Sequence, residues 1–535
     1  MRNIEIPLQK DKDKVYRLFE ALPGILSWSI LFTPAILSLI NPTWAAYFVI
    51  GFLLLWFIKI LGLNIRMLQG YRRLHQNMAY DWLKMLKELD CPEKTFERYQ
   101  QGVWPKWHQK NLIKNYAHEN RLRLDDIYHV LIVAHSIEGK EVLEPTIKSL
   151  LRCQYDMKKV ILIMAYEERC EPLSKEVATD LTDKYKNHFY HMEAVCHPSN
   201  IPNEVVGKGG NITYAGRWAK KYLEDQQIPY ENVIVTTLDS DNRPHPMYFA
   251  SVTYAYLVCP DRLHTSFQPI TVYTNNIWDV PAPMRVMAAG NSFWNIVLSL
   301  RPHMLRNFSS HSQSMQALID TDFWSVRTIV EDGHQFWRTY LRYNGKHDVH
   351  PIMVPVYLDA VFAGTYKKTI IAQFKQIRRW AWGASDVAFL LQRGWRDKNN
   401  IPKFDLLTKT CRLIESHVSW ATAPLLLLLG AFVPLYTAPQ ARTNLVANQL
   451  PVIASRIQTV AMIGLFVSIY LSIRLLPPKP PRYKARHRFY MIIQWVYLPF
   501  TTIIFNSFAA INSQTRLIFG RYVGKFEITE KKVKQ

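Results

Sequence analysis

Five long apolar runs constrain this chain more than any other feature: residues 22–40, 44–63, 420–436, 452–476 and 489–511. The first two are each long enough to cross about 30 Å of hydrocarbon as a helix, and the other three are further candidates. The first two are joined by "NPT" and flanked by "KDKDK" and "IRMLQGYRR". The first is too long for a signal peptide, and a second run follows at once with no small-residue cleavage site between them, so both read as retained spans. A chain of 535 residues, 49% hydrophobic yet near-neutral in mean hydropathy, must balance such runs with an ordinary polar part. The expectation is an integral multi-pass membrane protein, with the lipid bilayer as a partner and a globular domain between two membrane blocks.

The formal net charge is +22, from 65 Lys+Arg against 43 Asp+Glu. In a soluble protein this excess would point to nucleic acid. Here no zinc-finger spacing or RNA-recognition signature accompanies it, and much of it flanks the spans, so no nucleic-acid partner is expected. "RLLPPKPPRYKARHR" at 474–488 is what the positive-inside rule expects of a cytoplasmic segment. That places the globular domain in the cytoplasm and the chain in a plasma (inner) membrane. The cysteines at 91, 153, 170, 196, 259 and 411 form no C-x-x-C pair and read as reduced packing residues.

Residues 1–66 read as a transmembrane hairpin and 67–125 as an amphipathic helical linker ("YDWLKMLKEL") lying along the membrane surface. Residues 126–402 read as the globular domain, 403–512 as transmembrane or interfacial helices, and 513–535 as a basic tail. No internal repeat or low-complexity tract is present. From Tyr128 the short apolar runs "YHVLIVA", "KKVILIMA" and "NVIVTTL" alternate with the helically spaced "KEVLEPTIKSLLRCQ" and "NITYAGRWAKKYLEDQ". That alternation predicts an α/β domain with helices on both faces of a mostly parallel sheet. Ligands of such sheets bind beyond the carboxyl ends of the strands.

The third of these runs leads into Asp239 and Asp241, and the period of two in an extended chain aims both side chains the same way. Two carboxylates at a ligand edge repel unless a cation lies with them, and Mg2+ or Mn2+ is commonly held by one or two carboxylates plus substrate phosphates. A second acidic pair, Glu331 and Asp332 in "VED", is followed by "QIRRW" with Gln376, Arg379 and Trp380. A carboxylate near a bound phospho-sugar can act as general base on a hydroxyl, and an arginine can neutralise charge on a departing diphosphate. Trp380 and Trp382 can offer flat faces to a sugar ring. Each motif alone has a plainer reading. "DSDNRPHP" has the composition of a turn, Glu331 and Asp332 suit a helix start, and 376–380 suits an interfacial helix. Their order carries more than any one of them.

In that order the set resembles the processive, membrane-embedded family 2 glycosyltransferases, the group of cellulose and hyaluronan synthases, over roughly residues 125–385. The resemblance implies a GT-A (nucleotide-diphospho-sugar transferase) domain flanked by transmembrane helices. It implies inverting transfer of a sugar, taken to come from a UDP-sugar, to a growing polysaccharide or glycan. Asp239 would contact the nucleotide and Asp241 the metal, Mg2+ or Mn2+. Asp332 would be the base with Glu331 beside it, Val330 standing in place of a threonine, while Gln376, Arg379 and Trp380 would serve the diphosphate and the acceptor. "GKGGNITYA" resembles the donor segment and points to Lys208 and Gly209; "FQP" at 267–269 resembles a short Q-x-P stretch. The chain also departs from the pattern. "VAHSIEGKE" replaces P-x-Y-N-E and keeps Glu138. "MAYEERC" replaces a base-reading aspartate, leaving Glu167 either to accept a base N–H or to sit in a solvated turn. "HSQSMQALIDTDFW" holds the place of an F-F-C-G-S-like acceptor loop.

Two alternatives stay open. One is transfer of a single sugar to a lipid acceptor of the polyprenyl-phosphate type. The other is a transporter or channel with a non-catalytic cytoplasmic domain, although the spans lack the ionisable residues of an ion path. Five spans leave little material for a product pore, so an oligomer or export partner is also open. Pro499, within the last run, predicts a broken, re-entrant or interfacial element that keeps the basic tail inside.

Overall fold

The computed structural model describes residues 4–97, 104–116 and 122–524; the end of the basic tail lies outside the described residues. The chain divides into two compact units, one of Met1–Ile6, Arg72–Tyr273 and Leu298–Asp359, the other of Pro7–Tyr71, Thr274–Val297 and Ala360–Gln535.

The first unit is built on an 8-stranded sheet. Its strands are β1 (Tyr128–Ala134), β2 (Val160–Glu167), β3 (His191–His197), β4 (Val233–Asp239), β5 (Arg243–Pro244), β6 (Thr265–Tyr273), β7 (Ser312–Ser314) and β8 (Asp348–Leu358), in the order β3-β2-β1-β4-β7-β6-β8-β5. β7 runs antiparallel to β4 and β6, and β5 antiparallel to β8; every other pairing is parallel. All strands except β5 and β7 therefore point the same way, and their carboxyl ends share one edge. This is the α/β, mostly parallel architecture expected from the sequence.

The continuous apolar runs have a physical cause. Leu131, Val133, Leu162, Met164, Ile234 and Leu238 face one core, while Val130, Ile132, Ile161, Ile163, Val233 and Val235 face the other. Strands covered on both faces need apolar residues at every position. Helices Lys140–Leu150, Leu173–Tyr185 and Tyr248–Val258 contribute to the first core and Lys208–Asp225 to the second. Each such buried aliphatic side chain stabilises by roughly 1.5–3 kcal/mol relative to exposure.

The linker departs from expectation. Helix Trp82–Asp90 buries Trp82, Met85, Leu86 and Leu89 in the first core, and Trp82 meets Tyr254 edge-on with ring centroids 5.5 Å apart. The apolar face expected on a membrane surface is buried against this unit's own helices instead.

In the second unit, helices Lys14–Ile40, Pro42–Ala79, Leu445–Arg474 and Arg486–Ile518 are, among the described residues, the 4 long and apolar enough to cross a membrane. The run at 420–436 is split, because helix Lys403–Leu429 ends before Gly430 and a short helix, Val433–Thr437, follows. Around Pro499 the chain is deformed but remains helical, with a 3-10 turn at Gln494–Tyr497 and a π turn at Thr502–Ser507. Polar pairs tie these helices together: Ser27 Oγ donates to Gln514 Oε1 at 2.6 Å and Trp28 Nε1 to Thr515 Oγ1 at 3.0 Å. Such bonds are typical glue between apolar helices.

Candidate active site

β4 delivers Asp239 to the carboxyl edge of the sheet, and the chain then turns, Asn242 N–H donating to Asp239 O at 3.1 Å. The turn, not the strand pleat, therefore sets where Asp241 goes. Asp241 is 2% exposed and its Oδ2 accepts from the N–H of Asp359 at 2.9 Å. Asp359 directly follows β8, whose carboxyl end lies on the same edge.

Lys208 opens helix Lys208–Asp225 and gathers the acids. Its Nζ lies 2.9 Å from Asp239 Oδ1, 3.4 Å from Asp332 Oδ2 and 3.5 Å from Glu331 Oε1. Burial alone would lower the pKa of this ammonium, but Asp239, Asp332 and Glu331 together outweigh burial and hold it above the ordinary lysine value. Glu331 and Asp332 form the first turn of helix Glu331–Arg342, where the helix dipole favours acids. Gly209 has a packing reason to be glycine: a Cβ there would sit 2.5 Å from Ser325 O and 3.4 Å from Glu331 Cβ.

The loop before β7 adds two residues that the sequence did not single out. Ser309 Oγ donates to Asp239 Oδ2 at 2.8 Å. His311, 1% exposed, donates from Nδ1 to Phe308 O at 2.9 Å and accepts from Trp324 Nε1 at 3.3 Å. These bonds fix its neutral tautomer, and burial lowers its pKa further than the neighbouring Asp332 raises it. The ring nitrogen lies 3.5 Å from Asp332 Oδ1, a buried carboxylate oxygen with no hydrogen-bond donor of its own. The only trace of these residues in the sequence is a Ser/His-rich loop ahead of the second acidic pair.

Glu138 Oε2 accepts from Ser136 N–H at 2.8 Å and its Oε1 from Ser240 Oγ at 3.3 Å, which brings it to the residue between the two aspartates. Glu167, 5% exposed, ends β2 in a closed network: Oε2 is 3.2 Å from both Arg169 Nε and His197 Nδ1, and His197 Nε2 is 3.0 Å from Glu204 Oε2. The solvated-turn alternative therefore falls. Burial would lower the His197 pKa, but Glu167 and Glu204 raise it on balance. Gln376, Arg379 and Trp380 belong to the second unit, where helix Tyr366–Ala381 places them at i, i+3 and i+4 on one face. Gln376 Oε1 accepts from Gln373 Nε2 at 3.2 Å. Trp382 is 6% exposed and packs edge-on against Tyr522, so it is not the open platform expected.

Among the described residues no three His, Cys, Asp or Glu side chains converge as a ready-made metal site. Asp239 and Asp241 supply an all-oxygen pair of carboxylates, the protein share usual for Mg2+ or Mn2+ held mainly by substrate phosphates and water.

No family model matches the chain, and no curated protein matches its sequence. Among solved structures, the mannosyltransferase PcManGT from Pyrobaculum calidifontis in complex with GDP-Man and Mn2+ is similar at TM-score 0.41 and 12% identity, over 86% of this chain and 100% of that one. TarS 1-349 from S. aureus in complex with UDP-GlcNAc is similar at TM-score 0.36 and 10% identity, over 74% of this chain and 93% of that one. Scores this low assign neither fold nor activity, so the functional case rests on the chain's own residues.

Proposed function

We propose that this protein is a membrane-embedded glycosyltransferase that moves a sugar from a nucleotide-sugar to a glycan or lipid acceptor. One observation carries the reading: at the carboxyl edge of the parallel strands, a single buried ammonium, that of Lys208, gathers Asp239 with both Glu331 and Asp332. Order in the sequence and proximity in the fold thus agree for two of the three motifs.

The chemistry follows from the groups present. Asp332, whose side chain is partly exposed, takes the proton of the acceptor hydroxyl. The acceptor oxygen attacks the anomeric carbon as the bond to the diphosphate breaks, so configuration inverts. Lys208 is a fixed cation for phosphate oxygens, and Asp239 orients the nucleotide. A bound Mg2+ or Mn2+ would neutralise the leaving diphosphate, with Asp241 as its protein ligand. The roles of Arg379 towards the diphosphate and of Gln376 and Trp380 towards the acceptor rest on motif order alone, as do the UDP-sugar donor and the polymeric product.

The test supplies purified protein in lipid with a panel of labelled nucleotide-sugars, Mg2+ or Mn2+ and a lipid extract, and sizes the products. Metal-dependent release of nucleoside diphosphate with a polymer or oligosaccharide supports the full reading. A single sugar on an organic-soluble lipid, with nothing longer at any donor concentration, replaces it with the lipid-acceptor enzyme. No release from any donor removes the enzyme reading. Asp332→Asn should still bind nucleotide while losing about 10²–10⁴-fold in transfer; equal loss of nucleotide binding would show the base is misassigned.

A further inference from the structure

Gln268 lies in β6 and is 2% exposed. A buried carboxamide costs stability unless its polar atoms are bonded, and here they are bonded to one loop. Its Oε1 accepts from Phe308 N–H at 2.7 Å, and its Nε2 donates to Ser309 O at 3.1 Å, with a further bond to Pro269 O at 3.1 Å. One side chain thus grips two successive residues of the loop that leads into β7. That loop presents Ser309 Oγ to Asp239 at 2.8 Å. Through the carbonyl of Phe308 it also holds His311 Nδ1 at 2.9 Å, which in turn lies 3.5 Å from Asp332. The loop therefore touches an acid from each motif, and Gln268 sets where it stands.

We propose that Gln268 is a positioning residue for the donor site, acting through residues 308–311 to fix the carboxylate of Asp239 and the imidazole beside Asp332. The proposal rests on Asp239 being a donor-binding residue. A glutamine that merely fills the core would give a different pattern on substitution by methionine, which keeps length and apolar bulk. Packing would be largely preserved, and nothing beyond β6 would respond.

The experiment compares wild type, Gln268→Met, Ser309→Ala and the double variant in the full-length protein. Turnover and amide exchange are both read. Gln268→Met should raise the donor KM about tenfold, the worth of one or two hydrogen bonds, with a smaller change in kcat. Because the Ser309 contact to Asp239 is among those that Gln268 sets, the effect of the double variant should fall short of the product of the single effects. Exchange over residues 306–312 should speed up in Gln268→Met and stay at the wild-type rate in Ser309→Ala. A donor KM unchanged in Gln268→Met, or single effects that multiply in the double variant, would overturn the proposal. Unchanged loop exchange in Gln268→Met overturns it whatever the reaction is. By contrast, a wild-type protein that binds neither UDP nor GDP with Mn2+ and turns over no donor defeats the glycosyltransferase reading, while loop exchange still decides whether Gln268 holds the loop.

Discussion

Without the Lys208 ammonium, Asp239, Glu331 and Asp332 would lose the cation they share. Losing one partner of a buried charge cluster costs about 3–5 kcal/mol, and the partial exposure of Asp239 pulls the figure towards the lower end. Lys208→Met should therefore lower the denaturant midpoint and abolish nucleotide binding, and adding Asp332→Asn should recover part of the lost stability by removing one of the charges that Lys208 balances. The raised pKa of Lys208 makes its contribution complete below the ordinary lysine value and lost only as pH rises through a still higher folded value, so it adds no pH dependence near neutrality. His197 behaves differently. Its pKa is raised from 6.5, so its stabilisation is fully present below that value and fades as pH rises through the folded one. The stability lost in His197→Gln should be largest at about pH 6 and shrink towards about pH 8, as urea denaturation at both would show. At this scale charged residues in a fixed order singled out Asp239, Asp332 and Lys208 in the sequence, and the fold brings their side chains together. Ser309 and His311 carry no such pattern, and Asp359 acts through a backbone N–H that no side-chain motif can announce.

At the scale of elements, β1, β2 and β4 were legible because burial on both faces leaves an unbroken apolar signature. β3 was not. It sits at the end of the sheet, is only partly buried, and reads "HMEAVCH". β7 is only 3 residues long, too short to show a period. The amphipathic stretch around Trp82 was recognised as a helix, but an apolar helical stripe does not say whether lipid or a protein core will cover it. Gly209 shows the same limit: a motif glycine can be there for a ligand or for packing. Gly209→Ala would force helix Lys208–Asp225 away from Ser325 and Glu331, costing about 1–3 kcal/mol as overpacking does. Gly290, inside helix Ala282–Ser299, has nothing within 4 Å of its would-be Cβ. Gly290→Ala should instead leave the melting temperature unchanged or raise it, worth about 0.5–1 kcal/mol of helix propensity. A Gly209→Ala protein as stable and active as wild type would show that the close approach at Ser325 is dispensable.

On the scale of the whole molecule, the membrane crossings are counted by which helix ends meet inside the second unit. Arg17 donates to Tyr522 Oη at 2.6 Å and to Leu517 O at 2.8 Å, and Tyr522 donates to Glu20 at 2.6 Å, so residues 517–522 lie at the amino end of helix Lys14–Ile40. At the opposite end of the first hairpin, Asn444 donates to Thr43 at 2.9 Å, just before helix Leu445–Arg474 begins. That helix finishes beside the far end of the second hairpin helix, where Arg474 Nε donates to Tyr71 Oη at 3.3 Å. Gly70 packs on Ile296, and one turn earlier Phe293 stacks on Trp495 with ring centroids 6.3 Å apart. Trp495 and Tyr522 therefore both lie at the end away from the hairpin turn. These contacts predict that the last helix, although long and apolar enough to cross, dips in or lies along the interface. Helix Lys403–Leu429 meets the second hairpin helix through Lys59 and Glu415 at 2.6 Å and leads to Ala431, packed with Val49 and Leu53. On that expectation residues 474–488 and 517–524 share one side, which the positive-inside rule predicts to be the cytoplasmic one. In a background with the native cysteines replaced, Lys484→Cys and Gly524→Cys should resist an impermeant maleimide in intact cells and react once the membrane is opened. Thr443→Cys should react from outside. Efficient external labelling at Gly524→Cys with none at Lys484→Cys would instead make the last helix a full crossing.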